Sequence, residues 1–104
     1  MNLDSVSFLT HLECPKTGEQ FSADELHNLS PAGVPFLPQY DLKKAAEYFP
    51  KERIFTERRS LWRYSPVLPV RDPINRVKLG EGWTPVIRQS ALEESHEFGE
   101  LYIK

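Results

Sequence analysis

Apolar positions in this chain come in short bursts separated by turn residues, and the bursts change period along its length. Ser7-Phe8-Leu9-Thr10-His11-Leu12-Glu13 alternates imperfectly and carries the Phe, Leu and Thr content of a short strand. Cys14-Pro15-Lys16-Thr17-Gly18 is turn chemistry, and Glu19 to Ser22 reads as the returning strand of a hairpin. Ser22 with Glu25 has capping-box spacing and predicts a short helical turn. Ser30-Pro31-Ala32-Gly33 makes a second turn, and the proline-bound run Val34 to Tyr40 is extended. Phe8, Leu12, Phe21, Leu26, Val34 and Phe36 are the expected core of this pair of hairpins.

Asp41 then opens a helix over Leu42 to Phe49 that Pro50 ends. Leu42, Ala45, Ala46 and Phe49 fall on one face at helical spacing. Ser60 caps a short helix holding Leu61, Trp62 and Tyr64, a cluster suited to core or interface, with Arg63 stacking or pairing. Pro66 to Pro73 is a stiff extended connector. Val86-Ile87 and Leu101-Tyr102-Ile103 are two further short strands. Between them Ser90 and Glu93 repeat the capping-box pattern, and Gly99 is the helix stop or turn.

Composition adds that any core is thin. The chain has 104 residues, nine prolines and only 39% apolar residues, with a negative mean hydropathy. The class is α+β: small ribbon-like antiparallel hairpins with one or two short helices, rich in loops. Three parts follow, with ribbon and helix over 1–50, a charged, aromatic and proline-rich connector over 51–78, and a turn with the first strands of a larger fold over 79–104. A net charge of −2 gives no excess to neutralise a phosphate backbone, which argues against nucleic acid. No run approaches the length of a membrane span, and the first residues lack the pattern of a signal peptide. One cysteine forms no internal disulfide, so a reduced, cytoplasmic location is expected.

Candidate chemistry is sparse. Cys14 to Gly18 has the form of one zinc-ribbon knuckle with Thr17 at the second sulfur position. The second knuckle would fall at Ser30 to Gly33, where no sulfur stands and the spacing is one residue short. Structural zinc takes four Cys or His ligands, and the spacing of Cys14, His11 and His27 does not supply them. A ribbon without metal is therefore expected. His96 among glutamates has no orienting partner in the sequence and is a surface residue.

The most structured stretch is Leu79-Gly80-Glu81-Gly82-Trp83-Thr84-Pro85-Val86. Its glycines permit a left-handed backbone, and Pro85 pushes Thr84 toward extended geometry. Such a turn is either plain punctuation before a strand or a rim that presents Glu81 and Thr84.

Leu79 to Pro85 resembles the leucine-glycine-glutamate-glycine-x-threonine-proline signature near the N-terminus of threonine synthases, pyridoxal-phosphate enzymes of the tryptophan-synthase-β class. Leu61-Trp62-Arg63-Tyr64 with Leu68-Pro69 is similar to the segment that precedes the signature there, and Tyr40-Asp41-Leu42 to the stretch after that family's ribbon. Glu100 to Lys104 resembles the strand leading to the family's cofactor segment. These matches span about Cys14 to Lys104 in the family's order. The resemblance implies the N-terminal part of a two-domain α/β lyase of threonine biosynthesis that converts O-phosphohomoserine and water into threonine and phosphate. It aligns Lys104 with the lysine ending that strand and not with the Schiff-base lysine. It places Glu81, Gly82 and Thr84 on a substrate-side rim, with no catalytic, cofactor or metal residue in this stretch. The chain alone is then expected to be inactive, to hold no cofactor, and to have the remainder of the enzyme as its partner. Many relatives carry the ribbon with its cysteines, a departure here that removes any metal role. The alternative is a stand-alone, metal-free interaction module, and the apolar C-terminal strand offers either reading an edge for self-association.

Overall fold

The computed structural model describes residues 6–56 and 58–104. Strand β1 (Leu9–Glu13) lies at the centre of a three-stranded antiparallel sheet, between β2 (Gln20–Phe21) and β3 (Leu37–Tyr40). The register pairs Leu12 with Phe21 on one side and with Pro38 on the other. The expected pair of hairpins is thus a single sheet, because the run after Ser30 returns along the free edge of β1. An irregularity between Leu9 and His11 lets β3 end beside Phe8, whose carbonyl accepts from Asp41 N–H at 2.9 Å.

Asp41 begins helix α1 (Leu42–Tyr48), accepting from the Lys44 N–H at 3.0 Å through its side chain. That bond stabilises the carboxylate and lowers the Asp41 pKa. Helix α2 (Lys51–Ile54) follows Pro50 after one break. Ser60 caps a 3-10 segment, Leu61–Val67, by accepting from Trp62 N–H at 3.3 Å. The thin core lies where this segment meets the sheet and α1. Ala45 and Trp62 are buried there with Ser65 and Pro66, while Cys14 is buried apart, beside Ser30 at the knuckles. Edge-to-face contacts add Phe8 against Tyr48 (5.6 Å) and Phe49 against Tyr64 (6.3 Å).

Several expectations fail locally. Leu26 is fully solvent-exposed and takes no part in the core. Ser22 bonds the Asp24 N–H at 3.1 Å in a plain turn where a helical turn is predicted; the hydroxyl satisfies the nearest donor, and no helix continues. His27 replaces Leu26 at the aromatic corner, 5.1 Å from Phe36 and 6.0 Å from Phe21. On α1 only Ala45 is buried and Phe49 half-buried, while Leu42 is 67% exposed. A seven-residue helix docked at one end covers two positions of its apolar face. The Pro66–Pro73 stretch is also less detached than a connector. Pro66 is buried, its carbonyl accepts from Phe8 N–H at 2.9 Å, and Pro73–Asn75 forms a further 3-10 turn capped by Asp72.

Beyond the turn at residues 79–86, β4 (Ile87–Arg88) pairs antiparallel with β5 (Tyr102–Ile103) around helix α3 (Ser90–His96). Gln89, not Ser90, is the N-cap, and no side chain caps this helix. The stop is Glu97 in the left-handed region (φ 56°), not Gly99. Glu93 leaves the predicted capping box because Arg88 and the Leu101 N–H claim its oxygens. The architecture is α+β, with two small antiparallel sheets, short helices and much irregular chain. Its radius of gyration of 18.3 Å exceeds the roughly 13 Å of a compact domain this size, so it is open and elongated. Among the described residues no helix is long and apolar enough to cross a membrane.

Candidate functional site

The turn at residues 79–86 folds back onto the start of the 3-10 segment. Gly80 (φ 84°), Gly82 (φ 74°) and Trp83 (φ 48°) all adopt left-handed backbone, which is costly for a tryptophan and needs support from its surroundings. That support comes from cations. The Arg63 guanidinium sits 4.1 Å from the Trp83 ring centroid and that of Arg59 5.8 Å away. Arg63 is itself buried and donates Nε–H to the Arg58 carbonyl at 3.1 Å. Gly82 is required twice over. A Cβ there would lie 3.0 Å from the Leu61 backbone nitrogen, in addition to the positive φ.

This packing encloses a cleft of about 650 Å³ lined by Ser60, Leu61, Tyr64, Gly82, Trp83, Thr84, Pro85, Val86 and Lys104. The size lies in the range of small-molecule sites. Of the residues read as a rim, Gly82 and Thr84 line this cleft. Glu81 instead lines an adjoining recess of about 310 Å³ with Arg59, Lys78 and Gly80. Its carboxylate accepts from the Leu79 N–H at 2.6 Å, so Glu81 bends back to close its own turn. Lys104 reaches across the mouth and donates Nζ–H to the Thr84 carbonyl at 2.8 Å. Ser60, Tyr64 and Lys104 are cleft residues that the sequence reading did not assign, although the segment holding Tyr64 was already singled out.

Two polar keystones stand outside the cleft. At the paired knuckles, Gly18 N–H bonds the Cys14 carbonyl and Gly33 N–H the Ser30 carbonyl, each at 2.8 Å and each with φ 76°. The buried Cys14 thiol donates to Ser30 Oγ at 3.2 Å. As a thiolate it would accept from the Ser30 and Thr17 hydroxyls, which lowers its pKa from 9.0 to about 7 against the opposing effect of burial. Among the described residues no group of three or more His, Cys, Asp and Glu side chains is placed to hold a metal. At the second keystone the Glu93 carboxylate takes Nε–H and an Nη–H of Arg88 at 2.9 and 3.1 Å and the Leu101 N–H at 2.8 Å. Those donors lower the Glu93 pKa, and Glu93 raises that of Arg88. His96 is exposed and stacks on Phe98 at 6.0 Å.

The cleft does not fit a pyridoxal phosphate by itself. The one amine lining it is engaged by the Thr84 carbonyl, and the one helix start among its lining residues, at Ser60 and Leu61, is already capped by the Ser60 hydroxyl, which accepts from the Trp62 N–H.

No family model matches the chain, and no solved structure matches it. Two curated proteins do. The threonine synthase of Methanocaldococcus jannaschii is 32% identical over 91 residues, which is 88% of this chain and 22% of that protein. The threonine synthase of Methanosarcina acetivorans is 31% identical over 96 residues, 90% of this chain and 22% of that protein. The chain is therefore similar to threonine synthases over about nine-tenths of its length, as the signature turn implied, and spans about a fifth of the length of the curated relatives it matches.

Proposed function

We propose that this chain is the portion of a threonine-synthase-like enzyme that builds one wall of its substrate cleft. The reaction would be the conversion of O-phosphohomoserine and water into threonine and phosphate, with pyridoxal phosphate held by residues outside this chain. The observation that carries the reading is the packing of Gly82 and Trp83 on Leu61 and Arg63. The two segments on which the resemblance rests, some twenty residues apart in sequence, are one structural unit. Gly82 and Thr84 shape the wall, and Glu81 fixes the turn that holds them. By this reading the chain alone carries out no turnover, because the residues that hold the cofactor lie outside it. When bound in the whole enzyme, the cofactor would supply the electron sink, and these residues would orient substrate and exclude water.

The test is a chimera in which this chain replaces the 91 matched residues of the M. jannaschii enzyme. Phosphate release from O-phosphohomoserine is expected from the chimera and not from the chain alone. Thr84→Ala in the chimera is expected to lower kcat/KM by about tenfold through lost positioning. A chimera that folds, binds the cofactor and releases no phosphate would sink the reading.

A further inference from the structure

The turn that leads into the β4–β5 ribbon borders a recess of about 310 Å³ beside the cleft, and the polar groups lining that recess are left without partners. Arg59 and Lys78 are exposed there, and among the described residues neither has a carboxylate within ion-pairing distance. The Ser60 hydroxyl accepts from the Trp62 N–H and donates to no described residue. The backbone adds donors of its own. Gly80 (φ 84°) and Gly82 (φ 74°) are left-handed and Glu81 between them is not. Such alternation turns successive N–H groups toward one side and makes a concavity that suits an anion. The N–H groups of Gly80, Glu81, Gly82 and Trp83 find no acceptor among the described residues.

The one acid at the recess is Glu81, whose carboxylate is drawn to the Leu79 N–H at 2.6 Å. Two cations against one carboxylate leave the recess positive, on a chain whose net charge is −2. Exposed cations by themselves are a solvated face. Here two of them share one concave volume with a hydroxyl and unpaired amides. The turn that carries the amides is seated firmly, by Gly82 on Leu61 and by Trp83 against the guanidinium groups of Arg63 and Arg59.

We infer that this recess binds a phosphate-type oxyanion, free or carried on a small molecule, through Arg59, Lys78 and the amides of the Gly80–Gly82 turn. Arginine offers a planar fork to two oxygens, lysine a point charge, and the amides directional donors. The recess and the cleft share Ser60, Gly82 and Trp83, so a ligand with a longer body can reach from one into the other. The inference does not depend on the proposed function, since it needs only the recess.

Titration of the nitrogen-15-labelled 104-residue chain with inorganic phosphate, followed by amide NMR, tests it. Gly80 and Gly82 are expected to show saturable shifts that sodium chloride of equal ionic strength does not reproduce. Lys78→Gln and Arg59→Gln should each weaken binding by about tenfold, while Lys16→Gln, at the exposed first knuckle, should leave it unchanged. Glu81→Gln keeps an acceptor for the Leu79 N–H and removes the opposing charge, so it should tighten binding by about threefold. Titration with O-phosphohomoserine tells the sources apart. Affinity about tenfold above that of phosphate means an oxyanion carried on a body that also enters the cleft, and equal affinity means free phosphate; both keep the site. The Trp62 indole resonance, bonded to the Val77 carbonyl, reports that each variant is folded. Arg59 also stacks on Trp83, so Lys78→Gln, which breaks no described hydrogen bond or ion pair, decides if the two variants disagree. The inference is overturned by glycine amides that do not saturate, by shifts that chloride matches, or by an affinity that Lys78→Gln leaves unmoved.

Discussion

The region from Phe8 to Val70 and the region from Leu79 to Lys104 solve the problem of a thin core in opposite ways. The first gathers a small buried centre, although Leu26, Leu29, Leu37, Leu42 and Phe55 stay exposed. Trp62, Ala45 and Cys14 are covered, and the 3-10 segment packs on α1 and is hydrogen-bonded to Phe8 beside the sheet. The second leaves Trp83, Val86, Ile87, Phe98, Tyr102 and Ile103 about half exposed and organises itself around the ion pair of Arg88 and Glu93. The lesson is that both parts present apolar surface outward, but only the N-terminal part has buried apolar residues, while the C-terminal part is shaped by polar contacts.

The sharpest test of this contrast is a matched pair of truncations. Trp62→Ala removes a buried indole whose Nε1–H donates to the Val77 carbonyl at 3.1 Å. It is expected to cost about 3–5 kcal/mol, a large share of a small domain's stability. Ile103→Ala removes a half-exposed side chain and is expected to cost less than about 1 kcal/mol in the isolated chain. Urea unfolding followed by circular dichroism measures both. Equal losses would mean that the two regions are stabilised alike.

Gly82→Ala acts at the junction between them. The positive φ and the 3.0 Å approach to Leu61 should together cost about 2–3 kcal/mol. Gly80→Ala meets the positive φ alone, since nothing lies within 4 Å, and should cost about 1–2 kcal/mol. The difference between the two isolates the contact that seats the turn on the 3-10 segment. If the two variants unfold at the same urea concentration, that contact contributes nothing.

Much of this arrangement was legible because it is written locally. Asp41 as a cap, Ser60 as a cap, the strand before Cys14 and the two short strands at the C-terminal end each depend on a few adjacent residues. What escaped depends on contacts distant in sequence or on competition between local options. Leu26 looks like core by type, but the Ser22–Asp24 turn sends it outward and His27 takes the aromatic corner. Ser90 and Glu93 match a capping box, yet Arg88 captures the glutamate. The site was half legible. The turn announced itself through its glycines, while Lys104 reaches the cleft only because β5 returns beside β4.

Acid should loosen the C-terminal region. The pKa of Glu93 is lowered in the folded chain, chiefly by Arg88 and then by the Leu101 N–H. A depressed carboxylate contributes stability that is complete above its unfolded pKa and disappears as the pH falls through the folded one. Exchange at Leu101 should therefore accelerate, relative to its intrinsic rate, on going from neutral to acidic pH. Glu93→Gln should show the faster exchange at all pH values and lose the pH dependence. Retained acid sensitivity in this variant would shift the cause to another carboxylate.

In the N-terminal region the corresponding group titrates near neutrality and in a different place. Cys14 has its pKa brought down to about 7, mainly by the Ser30 hydroxyl and then by that of Thr17. Because the unfolded thiol ionises near 9.0, the folded state binds fewer protons between the two values and gains stability as pH rises through that window. The gain is complete above the unfolded pKa and absent below about 7. Ultraviolet titration of the thiolate should find that pKa in the native chain, and Ser30→Ala should move it upward while leaving exchange at Leu101 unchanged. Together with Glu93→Gln, this separates the regions by pH alone: the sheet strengthens on the alkaline side of neutrality and the ribbon weakens on the acid side. A Ser30→Ala variant whose thiolate titrates as before would show that the knuckle backbone, rather than the hydroxyl facing it, holds the charge.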